Sequence, residues 1–584
     1  MLDLLKQEIR ELYNIIISPI EDVYKLTALK NYKIKLGVSG KKSFGDDYYE
    51  FIKNNKEKGT VYTPEPITSY MIENTIKAAQ IINNPYIRIV DPSCGTGNIL
   101  ICSFKLLKKL YKDNLKSINE KNGLILKEQE IDDHIIKYNL FGFDIDDTAL
   151  KILTIDLYDL SKGCIIKNIF NNDFLVYENK CKYDIVIGNP PYVGKKFINN
   201  EYASFLKIRY KKVYRDKGDL SYCFFEKALD DLNDGGKLTF ITSRYFMESP
   251  SGEELRKALK EGYTIDKIID FYGIRPFKNV GIDPLIMFIT NHKTEDNQIE
   301  IIKPLAVKSK DRKEFYNNVF LKGGNKFSTF FIEKKELDDK GWVLVDEKVR
   351  TIINKIKQKK STELSNICNS YQGIITGCDK AFVLNNDTSL LKNIEKDIIK
   401  PWIKSSFIEK NKILRKDSYL IYSDLICNPQ EYNNAIAYIE LHREKLSKRR
   451  ECQKGIRKWY ELQWGRNQNI FEGEKIVFPF KASSNRFAID RGSYFSADVY
   501  ALTLKENVPF TYDFLLYILN SKIYEFYFKT FVKKLGKDAY EYYPNNLMKL
   551  CIPEMKDYNG MDENYLYDYF HFSEEEKEII LGEV

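Results

Sequence analysis

The run at residues 182–195, Lys-Tyr-Asp-Ile-Val-Ile-Gly-Asn-Pro-Pro-Tyr-Val-Gly-Lys, constrains this chain more than any other stretch. Residues 183–187 are mostly apolar and read as a short strand, and Gly188 lets the chain turn out of the sheet with no Cβ to clash. Pro190 pushes Asn189 away from the helical region, and neither Pro190 nor Pro191 has an N–H to donate. The carbonyls of this turn become acceptors with few internal partners. An amide oxygen on Asn189 beside the Pro190 carbonyl suits the two hydrogens of an exocyclic amino group, and Tyr192 offers a flat ring next to them. Together they describe a pocket for a planar ring bearing an NH2 group. The plainer alternative is a rigid proline turn with an aromatic lid.

Such a strand tip needs a sheet around it, and upstream runs end in similar tips. Residues 87–90 lead into Asp91-Pro92-Ser93-Cys94-Gly95-Thr96-Gly97-Asn98, where Gly95 and Gly97 permit a tight turn and close approach of a bound molecule before a helix. A dinucleotide fingerprint would want glycine where Leu100 stands, and no Lys-Ser or Lys-Thr follows for a phosphate loop. Residues 140–143 end in Asp144-Ile145-Asp146, more than twice the roughly 20 positions after Asp91 that a plain dinucleotide unit would show. The charged stretch 105–137 absorbs the difference as a longer helix or an insertion. Residues 164–170 read as a strand before Asn172-Asp173-Phe174. Upstream, Tyr62-Thr63-Pro64 predicts a helix start with Thr63 as N-cap and proline in the first turn. Downstream, a helix with Leu220 near its start precedes strands at 237–242, 265–271 and 285–290, the last two an antiparallel-looking pair. The series predicts an α/β domain whose sheet gathers the tips along one edge.

The chain of 584 residues exceeds one typical core and carries a prior of two to four domains. With 43% hydrophobic and 30% charged residues and no long apolar run, membrane spanning and secretion are excluded as expectations, and a cytoplasmic location is expected. Ten cysteines without a Cys-x-x-Cys pair and only four histidines argue against a structural metal. Residues 1–55 read as a helical N-terminal arm and a loop, packed on the domain that follows, with Lys41 and Lys42 as an optional nucleic-acid contact. Residues 296–340 are polar and read as a bridge.

The last part of the chain, 341–584, shows short irregular strands and a basic, aromatic stretch. Between Arg443 and Arg466 stand nine Lys or Arg against three Glu, interleaved with Trp459, Tyr460 and Trp464. Cations on flexible stems meet phosphates, and aromatic faces pack on sugars or bases. Lys195, Lys196, Lys380, Lys454, Arg457, Lys458, Trp459, Trp464 and Arg466 are the expected nucleic-acid contacts. A solvated helix face accounts equally well for the first part of the stretch.

Asn189-Pro190-Pro191-Tyr192 after its strand, together with the Asp91–Gly97 run, Asp144 and Asp173 in that order, resembles the TaqI-like (gamma-order) N6-adenine-specific DNA methyltransferases with a C-terminal specificity domain. The resemblance implies a Rossmann-like S-adenosylmethionine-dependent methyltransferase domain at 56–295, followed by a mixed α+β target-recognition domain at 341–584. It implies that Tyr62, Thr63, Pro64, Asp91, Ser93, Cys94, Gly95, Gly97, Asn98, Asp144, Ile145, Asp173, Phe174, Asn189 and Leu220 bind the cofactor. Within that set Asp144 would accept the ribose hydroxyls, and Ile145, Asp173 and Phe174 would hold the adenine. Asn189, Pro190, Pro191 and Tyr192 would act on the target, with Tyr192 and Phe277 stacking on a flipped base. Double-stranded DNA is the implied partner, a separately encoded restriction endonuclease is compatible with it, and a monomer of the prokaryotic, nucleoid-associated type without metal is expected. Transfer to RNA or to a protein glutamine, or a binding module with an inactive core, are the alternatives.

Overall fold

The computed structural model describes residues 2–38, 43–52, 62–179, 181–194, 198–215, 218–277, 281–295, 297–304, 319–320, 327–385, 388–414, 417–535, 539–555 and 562–583. The chain divides into two compact units, Met1–Leu344 and Val345–Val584.

The first unit is built on a nine-stranded sheet. Its strands are β1 (Ile89–Asp91), β2 (Leu140–Asp144), β3 (Ile169–Asn171), β4 (Tyr183–Gly188), β5 (Leu232–Ser243), β6 (Thr264–Asp270), β7 (Pro284–Thr290), β8 (Gln298–Pro304) and β9 (Phe327–Glu333). They lie in the order β3-β2-β1-β4-β5-β7-β6-β8-β9. Strands β3, β2, β1, β4 and β5 are mutually parallel, and β7 runs against both of its neighbours β5 and β6. The chain leaves β1 toward β2 and β3, then returns to β4 on the other side of β1. That reversal opens a crevice at the C-terminal ends of β1 and β4, where open α/β sheets take their ligands.

Both faces of the central strands β1, β4 and β7 are covered, so these strands carry apolar residues at successive positions, whereas the edge strands β3 and β9 are largely half-buried or exposed. Ile185 and Ile187 point into one core with Leu100, Phe104 and Leu107 of the helix Asn98–Asn122. Val186, between them, points into the other with Phe224 and Phe225 of the helix Leu220–Asp230. The period of two along the strand divides the residues between the cores. The long helix Asn98–Asn122 accounts for much of the spacing between the tips of β1 and β2.

The N-terminal arm contributes α1 (Leu2–Ile17), α2 (Asp22–Leu36) and α3 (Phe44–Ile52), ahead of the helices Glu65–Thr75 and Ala78–Asn83 that lead to the sheet. Leu5, Ile9, Leu12 and Ile16 form one face of α1 and pack with Ile152, Ile155 and Tyr158 of the helix Asp147–Ser161. Asp156 of that helix accepts the first N–H groups of α3, Phe44 at 3.2 Å and Gly45 at 3.1 Å, a carboxylate placed where the helix start has unpaired donors.

The stretch expected as a bridge departs from that reading. Residues 298–304 and 327–333 are β8 and β9 and extend the sheet beyond β6. Ile299 and Ile301 are buried while Gln298 is exposed, the alternation of a half-buried strand, and the polar residues between the two strands had hidden it. Residues 305–318 and 321–326 lie outside the described residues, as do Lys41 and Lys42.

The second unit is mixed α and β. An antiparallel sheet joins Cys368–Gln372, Val499–Leu504, Glu474–Pro479 and Ala488–Arg491 in that order. A second four-stranded sheet joins Val383–Asn385, Ser418–Ile421, Ile399–Ile403 and Tyr494–Phe495. Helices Glu347–Gln358, Tyr512–Leu519 and Lys522–Phe531 share one apolar core with the first sheet. A separate core holds Trp402, Phe471 and Tyr494.

Candidate active site

The crevice at the tips of β1 and β4 holds a cavity of about 340 Å3. Asp91, Ser93, Cys94, Gly95 and Asn98 from the first tip line it, with Asp144 and Ile145 from the second and Asp173 and Phe174 from the third. Asn189 and Pro191 from the fourth tip complete it with Tyr62, Thr63 and Leu220. Of the residues expected at a cofactor, Pro64 and Gly97 are not on this lining.

Hydrogen bonds between the tips set its shape. Asp144 Oδ2 accepts from the Gly95 N–H at 2.7 Å and Oδ1 from the Asp146 N–H at 2.8 Å, so the acid expected at a ribose also ties the glycine turn to β2. Asp91 Oδ1 accepts from the Ser93 N–H at 3.0 Å and orders the turn. The Ser93 hydroxyl donates to the Asn189 carbonyl at 3.1 Å, joining the first tip to the fourth. Gly97 has φ of +86°, and a Cβ there would lie 2.0 Å from Leu153 Cδ1, so backbone conformation and packing both favour glycine at this turn. Burial pushes the Asp91 carboxyl up to about 8 and raises Asp144 as well. Burial also holds the Cys94 thiol well above its ordinary value, which suits packing and not nucleophilic work.

The Asn189 side chain is held at both ends. Its Nδ2 donates to Thr63 Oγ1 at 3.0 Å, and its Oδ1 accepts from the Tyr192 hydroxyl at 2.5 Å. Thr63 is therefore not a helix cap. The helix Glu65–Thr75 starts with Pro64 in the cap position and no side-chain cap, and the threonine hydroxyl faces Asn189.

The two aromatics expected to stack on a target base pack against the core of the sheet. Tyr192 is partly buried against the core that holds Ile187 and Ile241, and its hydroxyl lies 3.2 Å from the Ile241 carbonyl as well as against Asn189. Phe277 is 5% exposed and belongs to that same core. Neither is among the residues that line the cavity: the rings pack on the apolar core of the sheet, and the Tyr192 hydroxyl is held by its two oxygen neighbours.

Other residues at the cavity carried no motif. Tyr48 and Tyr49 reach it from α3, Tyr48 donating to Asp146 Oδ2 at 2.8 Å and Tyr49 resting 5.0 Å from the Tyr62 ring. Tyr202 lines it from the helix Asn200–Arg209 and donates to Asp173 Oδ2 at 2.5 Å. Phe224 stacks on Phe174 with centroids 5.9 Å apart. A signal existed for Tyr202: Asn199 three positions earlier is a helix N-cap and puts it in the first turn. The arm gave only an acidic Asp46-Asp47 pair before two tyrosines.

The expected nucleic-acid contacts divide. Lys380, Lys454, Lys458, Trp464 and Arg466 are exposed on the second unit. Arg457 is instead an internal tie, its Nη1 donating to Asp424 at 3.1 Å, and Trp459 is half-buried beside Tyr460 with the Arg443 guanidinium 4.9 Å from its ring. A cation flanked by acids and an aromatic at a core edge are recruited by the fold itself. Lys195 and Lys196 lie outside the described residues. Among the described residues there is no group of three or more His, Cys, Asp or Glu placed to hold a metal, and no helix long and apolar enough to cross a membrane.

Residues 138–277 match the model of the Eco57I restriction-modification methylases, and residues 400–552 that of the TaqI-like C-terminal specificity domain. The chain is 23% identical to the type II methyltransferase M.BstVI of Geobacillus stearothermophilus, over 87% of this chain and 92% of that protein. It is 25% identical to the type II methyltransferase M.BanIII of Aneurinibacillus aneurinilyticus, over 78% and 82%. Its fold is similar to that of the type IIL restriction-modification enzyme MmeI in complex with DNA, with a TM-score of 0.58 and 14% identity over 87% of this chain and 70% of that one. The methylase match takes in the tips that carry Asp144, Asp173 and Asn189, and the specificity-domain match lies in the other unit, so both units of the chain are similar to those of restriction-modification methyltransferases.

Proposed function

We propose that the protein methylates N6 of an adenine swung out of double-stranded DNA at a specific sequence, with S-adenosylmethionine as donor. The observation that carries this reading is the Asn189 amide, held by Thr63 and Tyr192 beside a cavity with acids at its strand tips. The donor set fits the cofactor. Asp144 would hold the ribose, Asp173 with Phe174 the adenine, and Asp91 with Tyr62 the cationic methionine end. When bound, S-adenosylmethionine supplies an electrophilic methyl on a sulfonium.

Adenine N6 is a poor nucleophile because its lone pair is delocalised into the ring. The Asn189 side-chain oxygen and the Pro190 carbonyl would accept its two hydrogens, favour a tetrahedral nitrogen and aim the lone pair at the methyl. An amide oxygen takes two hydrogen bonds, so the Tyr192 hydroxyl can stay as orienter while the target amino group enters. Catalysis is then positioning and fixed dipoles, with no covalent enzyme intermediate. Extrusion of the base costs a few kcal/mol, and contacts from the second unit would offset it.

The test is to incubate the protein with radiolabelled S-adenosylmethionine and unmethylated duplex DNA and identify the labelled nucleoside. Label in N6-methyladenine supports the reading. Label only in RNA or in a protein extract would overturn the substrate while keeping the pocket.

A further inference from the structure

On the second unit, residues 464–466 hold an aromatic and a cation at the surface in a fixed arrangement. Trp464 is 38% exposed, yet its backbone pairs with Ile375 in both directions, N–H to carbonyl at 2.9 Å and carbonyl from N–H at 3.1 Å. Gly465 lies flat against Asp424, where a Cβ would come within 2.2 Å of a carboxylate oxygen. Arg466 has φ of +67°, a left-handed conformation that non-glycine residues adopt rarely, and its carbonyl accepts from the Tyr422 hydroxyl at 2.8 Å. Strain of this kind persists where surrounding contacts over-determine it, and it clusters at functional positions.

The side chain is held as firmly as the backbone. Arg466 Nε donates to the Gly373 carbonyl at 3.3 Å and Nη2 to Gln372 Oε1 at 2.9 Å. Gln372 is anchored in turn, its Nε2 donating to the Ala497 carbonyl at 3.3 Å. Among the described residues nothing engages Arg466 Nη1. An exposed arginine ordinarily keeps its rotamer freedom; one oriented in advance is set for bidentate recognition, and the variants below separate a purine edge from a phosphate by whether one position or all sites respond. A guanidinium oriented in advance beside a carboxamide has the directional chemistry that reads a purine edge, and the exposed Trp464, with the Arg457 guanidinium 5.9 Å from its ring, stands two positions before it in the chain.

We propose that Arg466, oriented by Gln372, reads a guanine through its O6 and N7 in the major groove, with Trp464 against the adjoining nucleotide. The inference rests on the duplex-DNA reading above and adds to it a residue that sets sequence specificity.

The test maps methylated adenines in a duplex library of randomised sequence, for the wild-type chain and for Arg466→Ala, Arg466→Lys, Gln372→Ala and Lys454→Ala. The wild-type site is expected to contain a guanine preferred by about 5- to 150-fold, and Arg466→Ala and Arg466→Lys should bring that preference within about 2-fold of none. Gln372→Ala should relax the same position less, because it removes only the orienting partner. Lys454→Ala, a phosphate-type contact, should slow all sites alike. Thermal unfolding and limited proteolysis of each full-length variant report that the second unit, which carries these residues, is folded, and cofactor binding by calorimetry reports the same of the first. Where a variant turns over too slowly, competition between duplexes differing at that base pair gives the same readout from binding. Full wild-type discrimination at every position in both Arg466 variants overturns the proposal. A wild-type chain that binds cofactor but methylates no duplex DNA is a different result, and it fails the parent reading along with this one.

Discussion

Thr63 Oγ1 accepts a hydrogen bond from Asn189 Nδ2 at 3.0 Å, across 126 residues of chain. A residue just ahead of the helix Glu65–Thr75 thus orients the amide on the fourth strand tip, while Tyr192 holds the other end of the same group. Asn189→Ala should lower the single-turnover methylation rate by on the order of 100- to 1000-fold, the scale for losing one oriented polar group at a reacting centre, and leave cofactor affinity nearly unchanged. Thr63→Val keeps the shape and removes the acceptor, and should cost about 10-fold in the same rate, the worth of one ordinary hydrogen bond. A Thr63→Val chain with unaltered turnover would show that the amide needs no orienter.

The titration of Asp91 gives a pH dependence with a definite sign. Burial pushes this carboxyl up to about 8, above its ordinary 3.8, so the empty protein holds the proton at neutral pH. A cationic ligand favours the carboxylate, and binding then releases a proton. Affinity for S-adenosylmethionine should rise as pH increases toward about 8 and level off above it, and calorimetry in buffers of different ionisation enthalpy should detect the proton. For the empty fold the sign is opposite. The raised value contributes stability that is full below the unfolded pKa and is lost as pH rises through the folded one, so this group weakens the fold between about pH 4 and 8. Asp91→Asn should flatten both profiles. Equal profiles for the two chains would remove Asp91 from the binding site.

What the sequence disclosed, and what it hid, follows from how each residue is held. The strand tips were readable because an apolar run ending in Asp91, Asp144 or Gly188 is local in sequence, and the order of such runs implies a sheet edge. Tyr48 was not readable. Its place depends on Asp156 of a distant helix capping α3, a long-range contact without a local signature. Strands β8 and β9 were missed because the residues between them are polar enough to dominate the window. Arg457 misled for the opposite reason: its charge is local and visible, while its partner Asp424 is 33 positions away.

Gly97 offers a test of the first tip as a rigid element. A Cβ would meet Leu153 Cδ1 at 2.0 Å, and φ of +86° disfavours any side chain there. Gly97→Ala should destabilise the first unit by roughly 1–3 kcal/mol, seen as a lower midpoint in thermal or urea unfolding, with loss of cofactor binding. Leu153 is itself fully buried and Leu153→Ala alone should cost about 2–5 kcal/mol, so the comparison is a double-mutant cycle: in the Leu153→Ala background Gly97→Ala should cost less than in the wild type, and still something, because the backbone strain remains. No cost of Gly97→Ala in that background would mean that sterics with Leu153 alone select the glycine.

Phe277 separates a core residue from a base-stacking one. It is 5% exposed within the core that also packs Tyr192, whereas the family resemblance assigns it to the far face of the target base. If its place is structural, Phe277→Ala leaves a cavity and should cost about 3–5 kcal/mol in unfolding free energy. Phe277→Leu should restore most of that, because it refills the volume. A stacking role predicts the reverse pattern. Stability would then change little, and both variants would lose turnover on duplex DNA while keeping cofactor affinity, with Leu no better than Ala because it has no aromatic face. Unfolding curves and single-turnover rates on the same two variants decide between them, and the burial seen here makes the stability loss the expected result.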